Sequence, residues 1–239
     1  MQQDVILILG ASSDIGKGLI QKICECQKTP FVILAHYHNT PPIENDHIIG
    51  IKCDLGSSQE VLKMIKKIET FGLPNKIIHL ANPHIKQQHF KKIKWEDFNH
   101  QFHIAFKGIF LILQYFLPLL SKQKSLAKKV IFMLSSYTLA KPPMGMADYV
   151  SIKYALLGLM KSLASEYKNI QFNALSPSMI ETKFLDQVDE RVIALNAQNH
   201  PLGRNARVED ILESLYLLMG NGSDYISGVN LPITGGEIF

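Results

Sequence analysis

Tyr149 and Lys153 lie four residues apart, so on a helix they share one face, one turn from each other. Upstream, Ser136 follows a continuous apolar run, Val130-Ile131-Phe132-Met133-Leu134, that reads as a buried strand. A hydroxyl at the C-terminal end of a strand, facing a helix that carries a phenol and an ammonium, is a site for proton transfer. A free tyrosine, with a pKa of about 10, is a poor acid near neutrality. An ammonium beside it stabilises the phenolate and draws that value toward the working range. The serine hydroxyl can hold a carbonyl or alcohol oxygen in line with the phenol. A bare Tyr-x-x-x-Lys pair more often sits in solvent on an ordinary helix, so the elements around it decide.

Those elements alternate. Residues 5–9 form a continuous apolar run, as expected of a parallel strand covered on both faces. The turn Gly10-Ala11-Ser12-Ser13-Asp14-Ile15-Gly16 follows, then an amphipathic helix to about residue 27. Strand, glycine turn and helix make a setting in which backbone N–H groups and a helix N-terminus receive a pyrophosphate. Gly10 permits the tight turn, Gly16 lets helix and strand approach, and Ser12 and Ser13 can donate to phosphate. A second strand, 31–35, ends at His36-Tyr37-His38-Asn39-Thr40. An acidic residue here would hold an adenosine ribose and favour NAD. None is present, and histidines and hydroxyls suit a ribose 2′-phosphate, so NADP(H) is expected over NAD(H). Further strands are expected at 47–52, 76–81, 130–134, around 170–176 and 226–233. Helices are expected at 58–70, 95–121, from Tyr149 to about 167, and 208–219. The alternation predicts an α/β fold: a doubly wound parallel sheet of about seven strands, Rossmann-like, with helices on both faces and one domain over 1–239.

Taken together, the thirteen-residue step from Ser136 to Tyr149-x-x-x-Lys153, the Gly10 to Gly16 turn, Cys53-Asp54-Leu55, and the stretches 169–182 and 226–236 resemble the short-chain dehydrogenase/reductase family. They occur in the family's order, and the chain is similar to the classical type that includes the 3-oxoacyl carrier-protein reductases. The resemblance implies a NAD(P)(H)-dependent oxidoreductase interconverting a carbonyl and a secondary alcohol, on an acyl-type or sugar-type small molecule. It implies Ser136, Tyr149 and Lys153 as the catalytic set, with Lys153 also holding the nicotinamide ribose. It puts Asp54 and Leu55 at the adenine, Ala81 and Asn82 near the nucleoside, and Pro177, Ile180 and Thr182 along the nicotinamide. Asp14, Ile15 and His36 complete the implied cofactor contacts. Residues 183–205 correspond to a substrate loop. The helix faces bearing Ala155, Leu156, Leu159 and Leu163 imply a homodimer or homotetramer.

The chain also departs from the family pattern. Asp14 stands where the middle glycine of the nucleotide loop is usual, and Ser178 replaces another glycine. His79-Leu80-Ala81-Asn82 stands where relatives carry Asn-Asn-Ala-Gly. Ala105 occupies the place of a catalytic asparagine, with Asn99 or His103 as candidate substitutes. These changes motivate a second reading, a weakly active or non-catalytic nucleotide-binding protein serving as sensor or scaffold.

Composition bounds the rest. At 239 residues, 46% hydrophobic and 19% charged, the chain can fill one core. A net charge of +4 is spread over scattered lysines and pairs, which gives nucleic-acid binding little support. Three cysteines without a Cys-x-x-Cys argue against a disulfide framework or a zinc site, and His36-x-His38 and His100-x-x-His103 read as packing or surface residues. No secretory signal precedes residue 5. The apolar stretch 106–120 is too short to span a bilayer, so no membrane association is expected and the cytoplasm is the default.

Overall fold

Alternate residues of the first strand serve two different cores. Val5, Leu7 and Leu9 face one, Ile6 and Ile8 the other, the period of two that a pleated strand imposes. The structure is a computed structural model that describes residues 3–82, 85–124, 127–186 and 188–238. Its seven strands are β1 (Asp4–Leu9), β2 (Phe31–Tyr37), β3 (Ile48–Lys52), β4 (Lys76–His79), β5 (Lys129–Met133), β6 (Gln171–Pro177) and β7 (Asn230–Ile233). They form one sheet in the order β3-β2-β1-β4-β5-β6-β7, and every neighbouring pair is parallel.

Helices cover both faces. On one lie α1 (Asp14–Cys26) and, late in the chain, α7 (Val208–Met219), which bury Leu19, Ile23, Ile211 and Leu215 against Ile6 and Ile8. On the other lie α2 (Ser58–Glu69), α3 (Trp95–Phe102), α4 (Gly108–Lys122) and α5 (Ala147–Glu166). Met64, Ile112, Phe116 and Leu156 pack there against Leu7, Ile77 and Phe132. A sixth helix, α6 (Glu190–Asn199), is amphipathic but has no buried residue of its own. The expected doubly wound parallel sheet is what forms.

Two expectations need correction. The fourth strand stops at His79, leaving Leu80 and Ala81 in the following loop. The helix expected at 95–121 is interrupted: residues His103–Lys107 form a π turn between α3 and α4. Counted through that turn, the helical stretch Trp95–Lys122 has 28 residues and contains an 18-residue window of mean hydropathy 1.7, long and apolar enough to cross a membrane by length and composition. The shorter span considered from the sequence missed this. Its Ile109, Ile112, Phe116, Leu117 and Leu120 nevertheless pack into the protein's own core.

Chain direction creates the cleft. From β1 the chain winds outward to β2 and β3, then returns to place β4 on the other side of β1. Connections therefore diverge at the C-terminal ends of β1 and β4, where open parallel sheets receive ligands. Gly10 sits at that point with φ +83, and a Cβ there would lie 2.8 Å from the Ala81 backbone nitrogen. Gly10→Ala is therefore expected to destabilise the protein by about 1–3 kcal/mol, from left-handed backbone strain plus overlap. Urea midpoints of the variant and the parent measure it.

Candidate active site

The cleft at the divergence holds about 790 Å³. The sequence-expected residues Gly10, Ser12, Ser13, Asp14, Ile15, His36, Asp54, Leu55, Ala81, Asn82, Ser136, Tyr149, Lys153, Pro177, Ile180 and Thr182 all line it. Gly16 does not; it lies beneath the turn, where a Cβ would come within 2.6 Å of the Gly10 carbonyl oxygen.

Tyr149 and Lys153 project from the first two turns of α5 and both are buried. Asp148 sets the start of that helix, its Oδ1 accepting the Tyr149 N–H at 2.8 Å. The Lys153 Nζ donates to the Met133 carbonyl at 2.8 Å and lies 5.3 Å from the centroid of the Tyr149 ring. Burial pulls the Lys153 ammonium down to about 7. It also pushes the Tyr149 phenol above its ordinary range, a hydrogen bond with the Ser135 side chain acting in the opposite direction. The sequence expectation that Lys153 brings the phenol down is thus not met: dehydration outweighs a neighbour that is itself losing its charge.

Two serines rather than one face this pair. Ser135 caps the single helical turn Ser136–Thr138 and bonds the phenol, while the Ser136 hydroxyl lines the cleft with no protein partner among the described residues. A ring of polar side chains fixes the turn. Ser176 on β6 donates to Asn230 Oδ1 at 2.7 Å, the Asn230 amide donates to Thr138 at 3.1 Å, and Thr138 and Ser176 are 3.1 Å apart. The Ser135-Ser136 doublet was visible in the sequence; Thr138, Ser176 and Asn230 gave no signal, because they meet only across strands.

At the other end, Ser13 caps α1, accepting from the Gly16 N–H at 3.1 Å. Its own proton goes to the Gly10 carbonyl at 2.8 Å, so the hydroxyl expected to donate to phosphate is already engaged. The N–H groups of Ser12, Asp14 and Ile15 have no protein acceptor among the described residues. Three open donors at a helix N-terminus form an anion cradle. Gly10 and Gly16 let this turn pack closely, the first against the Ala81 backbone and the second against the Gly10 carbonyl. These residues fit a dinucleotide's pyrophosphate.

Comparison with known proteins identifies the family. Residues 38–237 match the family described as enoyl-(acyl carrier protein) reductase. The chain belongs to the short-chain dehydrogenase/reductase family. Its relatives include the 3-oxoacyl-(acyl-carrier-protein) reductase of Thermotoga maritima, 23% identical over 100% of this chain and 99% of that one. The same enzyme of Rickettsia typhi is 26% identical, over 97% and 95%. Among solved structures, the 3-ketoacyl-(acyl-carrier-protein) reductase of Brucella melitensis complexed with NADH superposes with a TM-score of 0.87 at 21% identity, covering 98% and 97%. A 4-hydroxyisoleucine dehydrogenase complexed with NADH gives 0.87 at 22%, covering 98% of each chain. At such identities the structural likeness speaks for the fold.

Two histidines of this short-chain dehydrogenase/reductase are engaged within the chain. His36, expected from the sequence among the cofactor contacts, lines the cleft with both ring nitrogens bonded to backbone. Its Nδ1 accepts the Gly10 N–H and its Nε2–H donates to the Cys53 carbonyl, each at 3.0 Å, which clasps the ends of β1 and β3 across β2. Burial lowers its pKa to about 4, so no cation stands there. His79, fully enclosed, donates from Nε2 to the Ala105 carbonyl at 2.7 Å, inside the π turn, and its Nδ1 finds no partner among the described residues. Burial lowers its pKa to about 3.

Both folded-state values lie below the ordinary 6.5, so the unfolded chain binds more protons between pH 6.5 and about 4. Stability from these two rings is complete above pH 6.5 and is lost as pH falls. Each contributes a slope of about 1.4 kcal/mol per pH unit in that window. Denaturant midpoints at pH 7.5, 6 and 5 should fall together, and His36→Gln should flatten the dependence by about half.

Proposed function

We propose that the protein is a NAD(P)(H)-dependent ketoreductase whose catalytic set is Tyr149, Lys153 and Ser136, with Ser135 orienting the phenol. The observation that carries this is the buried phenol–amine pair opposite two serine hydroxyls, in the same cleft as an anion cradle. A nicotinamide bound in this cleft supplies the hydride that reduces the carbonyl carbon. The Ser136 hydroxyl, free of protein partners among the described residues, holds the carbonyl oxygen by hydrogen bond. Tyr149 gives that oxygen its proton. The phenolate left behind sits beside the Lys153 amine, which the new negative charge turns toward its ammonium form. Pro177, Ile180 and Thr182 would flank the ring, and the N–H groups of Ser12, Asp14 and Ile15 would hold the pyrophosphate.

The carbonyl side is walled by Ile85, Tyr137, Met146, Phe184, Val188 and Val192. Rings stand close to the phenol, Tyr137 at 6.5 Å and Phe184 at 6.3 Å between centroids. Such a wall favours an acyl-type ketone over a sugar, whose hydroxyls would lose their hydration without replacement. Segment 183–205, containing Phe184 and α6, serves in this reading as the substrate cover. The names of the curated relatives, reductases of 3-oxoacyl groups, support the same class.

For the cofactor, the reading favours NADP(H). The end of β2 offers no carboxylate to a ribose, and Lys17, His38, Asn39 and Thr40 line that end of the cleft. The assembly in this reading is a homodimer or homotetramer. Phe98, Phe102, Phe106 and Phe110 stack in sequence along the α3–α4 helix, the first three half-buried, with Phe110, Trp95 and Tyr115 exposed. Cys24, Cys26 and Cys53 are free thiols, in keeping with a cytoplasmic location.

Tyr149→Phe is expected to lower kcat for NADPH-dependent reduction of a 3-oxoacyl thioester by about 10²–10⁴, leaving the dinucleotide Kd unchanged. Undiminished turnover in that variant would refute the role. Ser136→Ala should raise KM and lower kcat, whereas Ser135→Ala should move the basic limb of the pH–rate profile for reduction upward, since it removes the bond that opposes the phenol's rise. Tight dinucleotide binding without turnover of any ketone would favour the sensor reading instead.

A further inference from the structure

Asp14 is the first residue of α1, next to the cap Ser13. Its Oδ2 accepts the Lys183 N–H at 2.9 Å, a contact between residues 169 apart in the chain. Lys183 begins a single helical turn, Lys183–Leu185, just past the end of β6. The next residue, Phe184, lies against Tyr149, and Thr182 and Phe184 both face the cleft. On the near side this segment is fastened to the body of the protein, Glu181 N–H donating to the Ala206 carbonyl at 3.0 Å. Beyond that point the N–H groups of Leu185, Asp186 and Val188 bond within the segment itself, to Thr182, Lys183 and Leu185. The Lys183 N–H instead reaches across the cleft to α1.

The same carboxylate belongs to the first turn of α1, the turn that carries the open N–H groups of Ser12, Asp14 and Ile15. A helix N-terminus favours one anion, and a second anion placed in the same half-turn opposes it. One side chain therefore does two things: it ties down the Lys183 turn, and it puts a negative charge on the helix end where a phosphate group is received.

We propose that Asp14 is a positioning residue that latches the Lys183 turn, and with it Phe184, over Tyr149, while its charge limits how tightly the dinucleotide is held. The second half rests on the ketoreductase reading above; the first rests on the bond alone. A latch of this kind lets binding at the pyrophosphate end and enclosure at the carbonyl end respond to each other, because loss of the Asp14–Lys183 bond loosens the backbone next to the residue that packs on the phenol.

Two substitutions separate the effects. Asp14→Asn keeps an oxygen acceptor for the Lys183 N–H and removes the charge; Asp14→Ala removes both. Hydrogen exchange of the cofactor-free proteins, read over 182–186, is expected to be unchanged in Asp14→Asn and at least about tenfold faster in Asp14→Ala. Calorimetric titration with NADPH is expected to show binding about 5- to 20-fold tighter in both variants, with the gain shrinking at high salt. With a 3-oxoacyl thioester, Asp14→Ala should raise KM for the ketone and Asp14→Asn should not. Equal exchange in Asp14→Ala and the parent would overturn the latch, and an unaltered NADPH Kd in Asp14→Asn would overturn the charge effect. Failure of the parent to bind NADPH or NADH would sink the function reading and the charge effect with it. The exchange comparison, made without cofactor, would still decide the latch.

Discussion

A lysine amine sealed among apolar side chains has to find an acceptor or shed its proton, and Lys153 is held between the two. Its one hydrogen bond among the described residues, to the Met133 carbonyl, joins the second turn of α5 to the end of β5. This bond ties the helix that carries the phenol to the strand that leads to the serines. Burial lowers the ammonium to about 7 and keeps the phenol protonated, so the pair itself carries at most one charge. Charge separation there is cheap only when a partner charge appears within a few ångströms. The two groups stand close enough that the ionisation of one favours that of the other.

The departures from the family pattern share a theme. His79, Asp14 and His36 each stand where the family pattern or the cofactor's needs called for something else, and each has acquired a bond within the chain. His79 takes the Ala105 carbonyl, Asp14 the Lys183 N–H, and His36 bridges Gly10 and Cys53. Position 105 itself carries only a methyl group, yet its backbone is held through the histidine on β4. The site is consequently more cross-braced by side chains than the residues facing its interior suggest. Asp4, which accepts from Asn75 and pairs with Lys76, and Lys129, which donates to Gly220, Ser223 and Asp224, give the opposite edge of the sheet the same kind of bracing.

Much of the fold was legible because it is written in short-range patterns. Unbroken apolar runs such as 5–9 and 130–134 allow only covered parallel strands, and a glycine turn after the first of them fixes the chain direction. Most of the expected site residues converge on one cleft for the same reason: they sit at strand ends, which the topology brings together. What could not be read was set by contacts distant in sequence. The use of the Ser13 proton on Gly10, the burial of His36 and the Thr138–Ser176–Asn230 ring all depend on where a neighbouring strand places its backbone. Composition likewise says nothing of a π turn, whose wider winding costs too little to leave a mark in residue type.

That wider turn shapes the outside of the molecule as well as the inside. In an ordinary α-helix, four residues turn about 400°, so side chains spaced by four creep around the axis by about 40° at each step. Phe98, Phe102, Phe106 and Phe110 are spaced in this way, yet successive rings remain stacked, with interplanar angles of 28°, 20° and 22°. Unwinding between His103 and Lys107 gives back part of the creep in the middle of the ladder. The four rings consequently stay in one stacked row along the helix, three of them resting partly on the core and Phe110 exposed. A change that restored regular winding in the middle of this helix would break that row, even if every phenylalanine were kept.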